Sequence, residues 1–572
     1  MKKRRLSYSV AAVALLALGA AACSSSSSSS PSGGSSSGSG TAMGKTLTIV
    51  TTPFSPMTNN FNPYTQTGTG YQAHAEDLYY APLMVWNTTD PTQKPIPELA
   101  TSYSWSPDGK TLTLNLRPGV KWSDGKPFTG ADVAFTFNLI KKYPALNTPA
   151  TPIPVSATGS GNTATLTFAE PQLANLFFIL KTQIVSQHIW GSVANPVTYP
   201  DANPVGTGPY MLDKFSPQGF TMKINPNYWD KNSLHVPEID FPAYTSNANL
   251  LPPVSDGTID WAGISISGAQ SNYLGKSTNN TTWQSSAPYF SDNNVVGLWF
   301  NVTHKPLDDP KVRQAISYAI NRQQLSTTAE SDNEPVVTST AGMLLPAMQS
   351  YMPTSLQNNL KPTGDTTKAA QILTSDGYTK TGGFWQKNGQ KITFAIEDPV
   401  SYGDYYLSSK LIAQQLNAFG INATVKGDPG TNGPTLWTND LNNGTFDSAI
   451  HWGNQGLTPY FTYDNWMDSK LTAPVGKAAS ADYGRFDNPQ AQAALSAYAS
   501  ASTPEQLNAA VTQLANIQDQ LVPVAPLMLG ASWAEFSTRN YTGWPSQNDS
   551  YMDGGPNPPE VLYTVTHLKP AP

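Results

Sequence analysis

Apolar and polar residues alternate over Lys45-Thr46-Leu47-Thr48-Ile49-Val50, which predicts a strand that Pro53 and Pro56 end in a loop. Alternation returns over Thr111–Leu116, closed by a Pro118-Gly119 turn. Ala131–Lys142 (ADVAFTFNLIKK) instead spaces its apolar residues for a helix. Between them Trp122-Ser123-Asp124-Gly125 reads as a turn, with Asp124 and Gly125 as its central pair. Pro310–Leu325 predicts a helix with Pro in the first turn and Asp308 or Asp309 as cap. Leu407–Phe419 predicts another, stopped by Gly420, with a strand resuming over Ile421–Val425. Pro504–Leu521 predicts a third long helix, followed by a strand over Val522–Leu529. Strands and helices alternate throughout without a fixed-period repeat, which indicates an α/β architecture.

The N-terminus follows a different pattern. Lys2, Lys3, Arg4 and Arg5 precede an apolar stretch, Val10–Leu18, that is too short to span a bilayer. This reads as a secretory signal. Ala20, Ala21 and Ala22 lead into Cys23, the single cysteine of 572 residues, and the group resembles a bacterial lipobox. Cys23 is then the lipidated first residue of the mature chain; the alternative is an ordinary cleaved signal with an unpaired cysteine. Ser24–Gly40 cannot bury apolar surface and serves as a flexible tether, reaching roughly 25 Å. Gly34-Ser35-Ser36-Ser37-Gly38 matches a hydrolase nucleophile pattern but lacks a flanking strand and helix. Gly44-Lys45-Thr46 lacks the earlier glycine of a phosphate loop, since Ser39 stands there.

Charge and composition narrow the function. Four of the 33 basic residues lie in the leader, which leaves 29 against 39 acidic ones, a formal −10. Such a surface repels phosphate backbones and excludes nucleic acid as a partner. After Gly44 no apolar run has the length of a membrane span. About 530 remaining residues call for two or three domains. Asn, Gln, Ser and Thr supply the polarity beside 14 Trp and 26 Tyr, and amides with aromatics suit uncharged polar ligands. His74, His188, His235, His304, His451 and His567 are scattered, so no metal or cofactor site is expected. The acidic pairs Asp308-Asp309 and Glu397-Asp398 have no convergent partners, and no enzyme is expected.

Leu112–Phe137 (LTLNLRPGVKWSDGKPFTGADVAFTF) closely resembles the signature of family 5 extracellular solute-binding proteins, the peptide/nickel-type receptors of ABC importers. Further matches occur in the family's order: VGTGPY from Val205, NPNYW from Asn225, DGTID from Asp256, FNVTHKPLDDPKVRQAISYAINR from Phe300, GTFD from Gly444, RFDNP from Arg485 and VAPL from Val524. Locally, Gly206 and Gly208 suit a backbone crossing too close for side chains, and Arg313 and Arg322 suit pairing with nearby carboxylates. The resemblance implies a periplasmic-binding-protein type 2 fold (class II, family 5), two lobes with an additional domain. It divides the chain into a signal peptide (1–22), a tether (23–44), a first lobe in three pieces (45–87, 205–289, 528–572), an additional domain (88–204) and a second lobe (290–527). It also implies a monomeric, lipid-anchored receptor on the extracellular or periplasmic face. A small peptide or oligosaccharide would bind between the lobes, and the closed form would dock on membrane permease subunits.

Within that resemblance two departures bear on the ligand. In peptide-binding members, a Trp after G-T-F-D is followed three residues later by an Asp that holds the peptide's α-ammonium. Here Trp452 leads to Gln455, with Asn454 beside it. A neutral amide offsets little of the cost of a buried cation but suits hydroxyls. Asp464 and Asp468 are the nearby acids that could supply the charge instead. The tail WAEFSTRNYTGWPSQNDSY from Trp533 resembles that of sugar-binding members. The expected contacts are Trp452, Asn454, Gln455, Tyr460, Trp466 and Trp544, with oligopeptide as the family's default ligand and a short cello- or xylo-type oligosaccharide as the alternative.

Overall fold

The computed structural model describes residues 43–572 except 52–54, 148–150, 431 and 455. The leader, Cys23, the serine tract and Gln455 therefore lie outside the described residues. Among the described residues, no helix is long and apolar enough to cross a membrane.

Two central sheets organise the chain. The first has seven strands in the order Asn280–Thr281, Glu535–Ser537, Trp261–Ala262, Leu47–Val50, Glu238–Pro242, Gly219–Ile224, Tyr210–Ser216. Leu47–Val50 pairs in parallel with both neighbours. The second has five strands in the order Asn422–Asp428, Thr393–Pro399, Ser448–Trp452, Ser291–Phe300, Val524–Ser532. Ala100–Trp105, Thr111–Leu116, Thr163–Thr167 and Ser156–Ser160 form a separate antiparallel sheet. Its inward residues Leu112, Leu114, Ala164 and Leu166 join the apolar cluster that holds Leu47, Ile49 and Ile239. The five-stranded sheet carries its own cluster around Leu298, Trp299, Ile316 and Leu527.

Local chemistry explains the element ends. Gly130–Lys142 starts at a capping box, with Ala131 N–H donating to Thr129 Oγ1 (3.2 Å) and Thr129 N–H donating to Asp132 Oδ2 (2.9 Å). The helix capped by Asp309 ends at Ala319, short of the expected Leu325. Asn321 Oδ1 accepts from Gln324 N–H (3.1 Å) and begins a new turn, so the two segments are separate helices. Arg313 and Arg322 do not pair with carboxylates. Arg313 donates to the carbonyls of Leu307 and Val522, and Arg322 to those of Ser317 and Pro526. Burial lowers both guanidinium pKa values, to about 10 and about 9. At Gly206 and Gly208 an added Cβ would lie 1.7 Å from Tyr79 O and 2.4 Å from Leu78 O, so only glycine permits that crossing.

The chain passes between the sheets on two paired strands, with Ser291 opposite Ser532. Val524–Ser532 runs past 527, and the next strand, Glu535–Ser537, lies in the seven-stranded sheet. Asp553 clasps both strands. It accepts from Ser291 Oγ (3.2 Å), from Ser532 Oγ, and from Gly555 N–H (2.8 Å).

Candidate functional site

A cavity of about 690 Å³ opens beside this crossing. One wall comes from Gly263-Ile264-Ser265, at the end of a strand of the seven-stranded sheet. The facing wall comes from Glu334, Tyr402, Asp404, Tyr405 and Trp452-Gly453-Asn454. Asn294, Gly530, Ala531 and Trp533 form the floor. A second cavity of about 490 Å³ shares Ser265, Tyr402, Asp404 and Trp533 with the first and adds Glu330 and Asn333. Three polar contacts already span the two walls. Ser265 Oγ donates to Asp404 Oδ2 (3.4 Å), Asn333 Nδ2 donates to Ile266 O (3.2 Å), and the hydroxyls of Ser267 and Ser331 meet at 3.3 Å. The two walls are therefore closed on each other along one edge.

Aromatic and amide groups dominate the main cavity. Trp452 is 39% exposed, although it ends a strand of a buried sheet. His451 stacks on it (centroids 4.3 Å) and on Trp437 (5.1 Å), and its Nδ1–H donates to Trp452 O (2.6 Å). Burial under these rings lowers the His451 pKa to about 4, so a neutral imidazole braces the indole at working pH. The strand register slips between Asp292 and Asn294. This bulge aims Asn293 at a separate 330 Å³ chamber and Asn294 at the main cavity. Asn294 Oδ1 is buried without a partner among the described residues, and a Cβ on Gly530 would lie 2.5 Å from it.

Among the described residues, every charged side chain lining these two cavities is acidic: Glu330, Glu334 and Asp404. Glu334 Oε1 accepts from Tyr405 Oη (3.3 Å) and Ala531 N–H (3.4 Å). Burial chiefly, then the nearby Asp404, raises the Glu334 pKa from 4.5 to about 8. Glu330 is held well above its usual value, first by burial and then by Glu334. Among the described residues no cluster of three or more His, Cys, Asp or Glu side chains could hold a metal ion.

The model for "Bacterial extracellular solute-binding proteins, family 5 Middle" matches residues 94–472. The chain belongs to this family. Among curated relatives of this solute-binding protein are the glutathione-binding proteins GsiB of Salmonella typhi and Escherichia coli, both 28% identical over 327 residues. That match covers 55% of this chain and 59% of each relative. Among solved structures, the mannohexaose-bound oligopeptide-binding protein of Thermotoga maritima is 25% identical with a TM-score of 0.76. A second crystal structure of that protein gives 0.82, and both matches cover 92% of this chain and 99% of theirs. The nickel–histidine-bound NikZ of Campylobacter jejuni, 19% identical with a TM-score of 0.71, shares the fold.

The expected contacts of this solute-binding protein separate. Trp452 and Asn454 line the main cavity, and Gln455 lies outside the described residues. Trp466 does not reach the cavity. It is 1% exposed and packs edge-on against Trp299 and Tyr463, so it is core. Trp544 is core as well. It stacks on Phe536 (4.9 Å), and its Nε1–H donates to Ser537 O and Tyr541 O at 3.2 Å each. Tyr460 stacks on Tyr498 (4.1 Å) away from both cavities, and Asp464 is bonded to Tyr460. Sequence reasoning missed Glu330, Glu334, Tyr402 and Asp404, and met Trp533 only as the first residue of the tail. The one local signal was Glu334 followed at once by the apolar Pro335-Val336-Val337, an acid with no solvated loop after it.

Proposed function

We propose that this chain captures a short oligosaccharide between its lobes and delivers it to the permease of an ABC importer without altering it. The observation that carries this reading is the wall itself. Trp452 offers a braced indole face, Trp533 and Tyr402 lie nearby, and the unpartnered Asn294 Oδ1 can accept from a hydroxyl. Sugar rings present C–H faces to such indoles, and their hydroxyls pair with amides and carboxyls. Among the described residues no Lys, Arg or His lines the two cavities, so a peptide's terminal carboxylate would be buried there without a counter-ion from them. Glutathione, with two carboxylates, fits still less well. The mannohexaose bound by the Thermotoga maritima protein supports the same ligand class.

Oligopeptide remains a second reading on one observation: Glu330, Glu334 and Asp404 would suit an α-ammonium. In both readings the lobes hinge at Ser291 and Ser532, the protein works as a monomer, and Cys23 carries the lipid that tethers it. Loss of membrane partitioning on Cys23→Ala tests the last point. A thermal-shift screen of the full chain against cello-, xylo- and manno-oligosaccharides and against di- to pentapeptides tests the ligand. At 100-fold over the dissociation constant a true ligand stabilises by about 2.7 kcal/mol. Sugars should raise the melting temperature; a rise with peptides alone would overturn the reading.

A further inference from the structure

We propose that Glu334, flanked by Glu330 and Asp404, forms a subsite for a protonated primary amine, and that the oligosaccharide captured here is an amino-sugar oligomer. The inference rests on the sugar reading above. Glu334 is 2% exposed and lines the main cavity, and its Oε2 has no hydrogen-bond partner among the described residues. Its other oxygen is fixed by Tyr405 and Ala531, so the free one is held in place. Glu330 Oε1 is occupied by Ser408 Oγ (3.0 Å), and Asp404 Oδ1 by the N–H of Tyr405 (2.8 Å). Glu334 Oε2 is a buried acceptor in this wall without a partner among the described residues.

Among the described residues the surroundings carry no compensating charge. Glu330 precedes Glu334 by one turn, Asp404, Tyr405 and Tyr402 face it from the start of the Gly403–Phe419 helix, and Asp292 and the Ala531 N–H face it from the crossing strands. A neutral guest would leave Glu334 protonated, whereas an ammonium group would pair with its carboxylate. Because burial keeps Glu334 protonated near neutral pH, an arriving ammonium ion must displace that proton: the carboxyl O–H bond breaks, the carboxylate pairs with the ammonium, and one proton leaves to solvent. Two sources could bring such an amine, a glucosamine unit or a peptide N-terminus.

Calorimetric titration of the full chain at pH 6.5 separates them, using tetraglucosamine, its fully N-acetylated form, cellotetraose, and a tetrapeptide with and without N-acetylation. Buffers of differing ionisation heat report the proton. Tetraglucosamine should bind roughly tenfold or more tighter than the two neutral sugars and release about one proton. Glu334→Gln should erase both the preference for tetraglucosamine over cellotetraose and the proton release. Asp404→Asn should weaken the preference even if Glu334→Gln misfolds. Equal binding of all three sugars, or a preference that survives both substitutions, overturns the amine subsite and leaves the sugar reading intact. If only peptides bind, the sugar reading fails. A loss on N-acetylation that Glu334→Gln abolishes would then uphold the subsite, and indifference to N-acetylation would overturn it.

Discussion

Replacing Trp452 by Ala tests whether the braced indole is a binding surface. The ring is 39% exposed, and a Trp side chain carries up to about 250 Å². A guest stacked on it therefore covers about 100 Å². At about 25 cal/mol per Å² this is worth about 2.5 kcal/mol, or roughly a 70-fold loss of affinity on truncation. Trp452→Phe should keep much of it. The fold should survive, because His451 still stacks on Trp437. Isothermal titration with a tight-binding tetrasaccharide reads the affinity, and a melting curve confirms the fold. An affinity within twofold of the parent, in a protein that melts normally, would refute Trp452 as the stacking plate.

Three further outcomes follow from the interior. Trp466→Ala should cost about 3–5 kcal/mol in denaturant unfolding, yet leave the affinity of the folded fraction within threefold, since the residue is core; a selective loss of affinity would return it to the site. Asp553→Ala removes the acceptor shared by Ser291, Ser532 and Gly555 and should cost about 2–3 kcal/mol, with Asp553→Asn milder; unchanged unfolding would mean the crossing strands do not need the clasp. Burial raises the carboxyl pKa values of Asp77 and Glu98 to about 7 and of Glu334 and Glu560 to about 8, so the folded state holds protons that the unfolded chain has lost. That stability is fully present below the unfolded value near 4.5 and disappears as pH rises through 7 to 8. His451, with its pKa lowered, opposes this only below pH 6.5. The melting temperature should therefore fall between pH 6.5 and 8; a rise over that window would contradict the assignment.

Much of the scaffold was legible because its signals are local. The Thr129–Asp132 box, the Asp309 cap and Gly420 at φ +105° fix helix ends through contacts within a few residues. The helix from Pro310 was read too long because its apolar spacing continues through Leu325. The break comes from Asn321 capping a new turn and from Arg322 bonding the carbonyl of Pro526, in a strand some 200 residues away. The site was legible only where a motif pointed to it. Trp452 and Asn454 follow the G-T-F-D segment, but Trp466 and Trp544 look alike in sequence, and only tertiary packing turns them into the core. Glu330 and Glu334 sit in AESDNEP, a polar run that none of the motifs covers. They become cavity-lining acids because Gly263–Ser265 and Tyr402–Tyr405, remote in sequence, close over them.

Calorimetry of the full chain with mannotetraose, followed by mass spectrometry of the recovered sugar, bears most directly on whether the chamber beside Trp452 holds a carbohydrate and releases it whole. One site per chain and an unchanged ligand mass are expected. An absence of heat where tetrapeptides give a binding isotherm, or a shortened sugar, would contradict it.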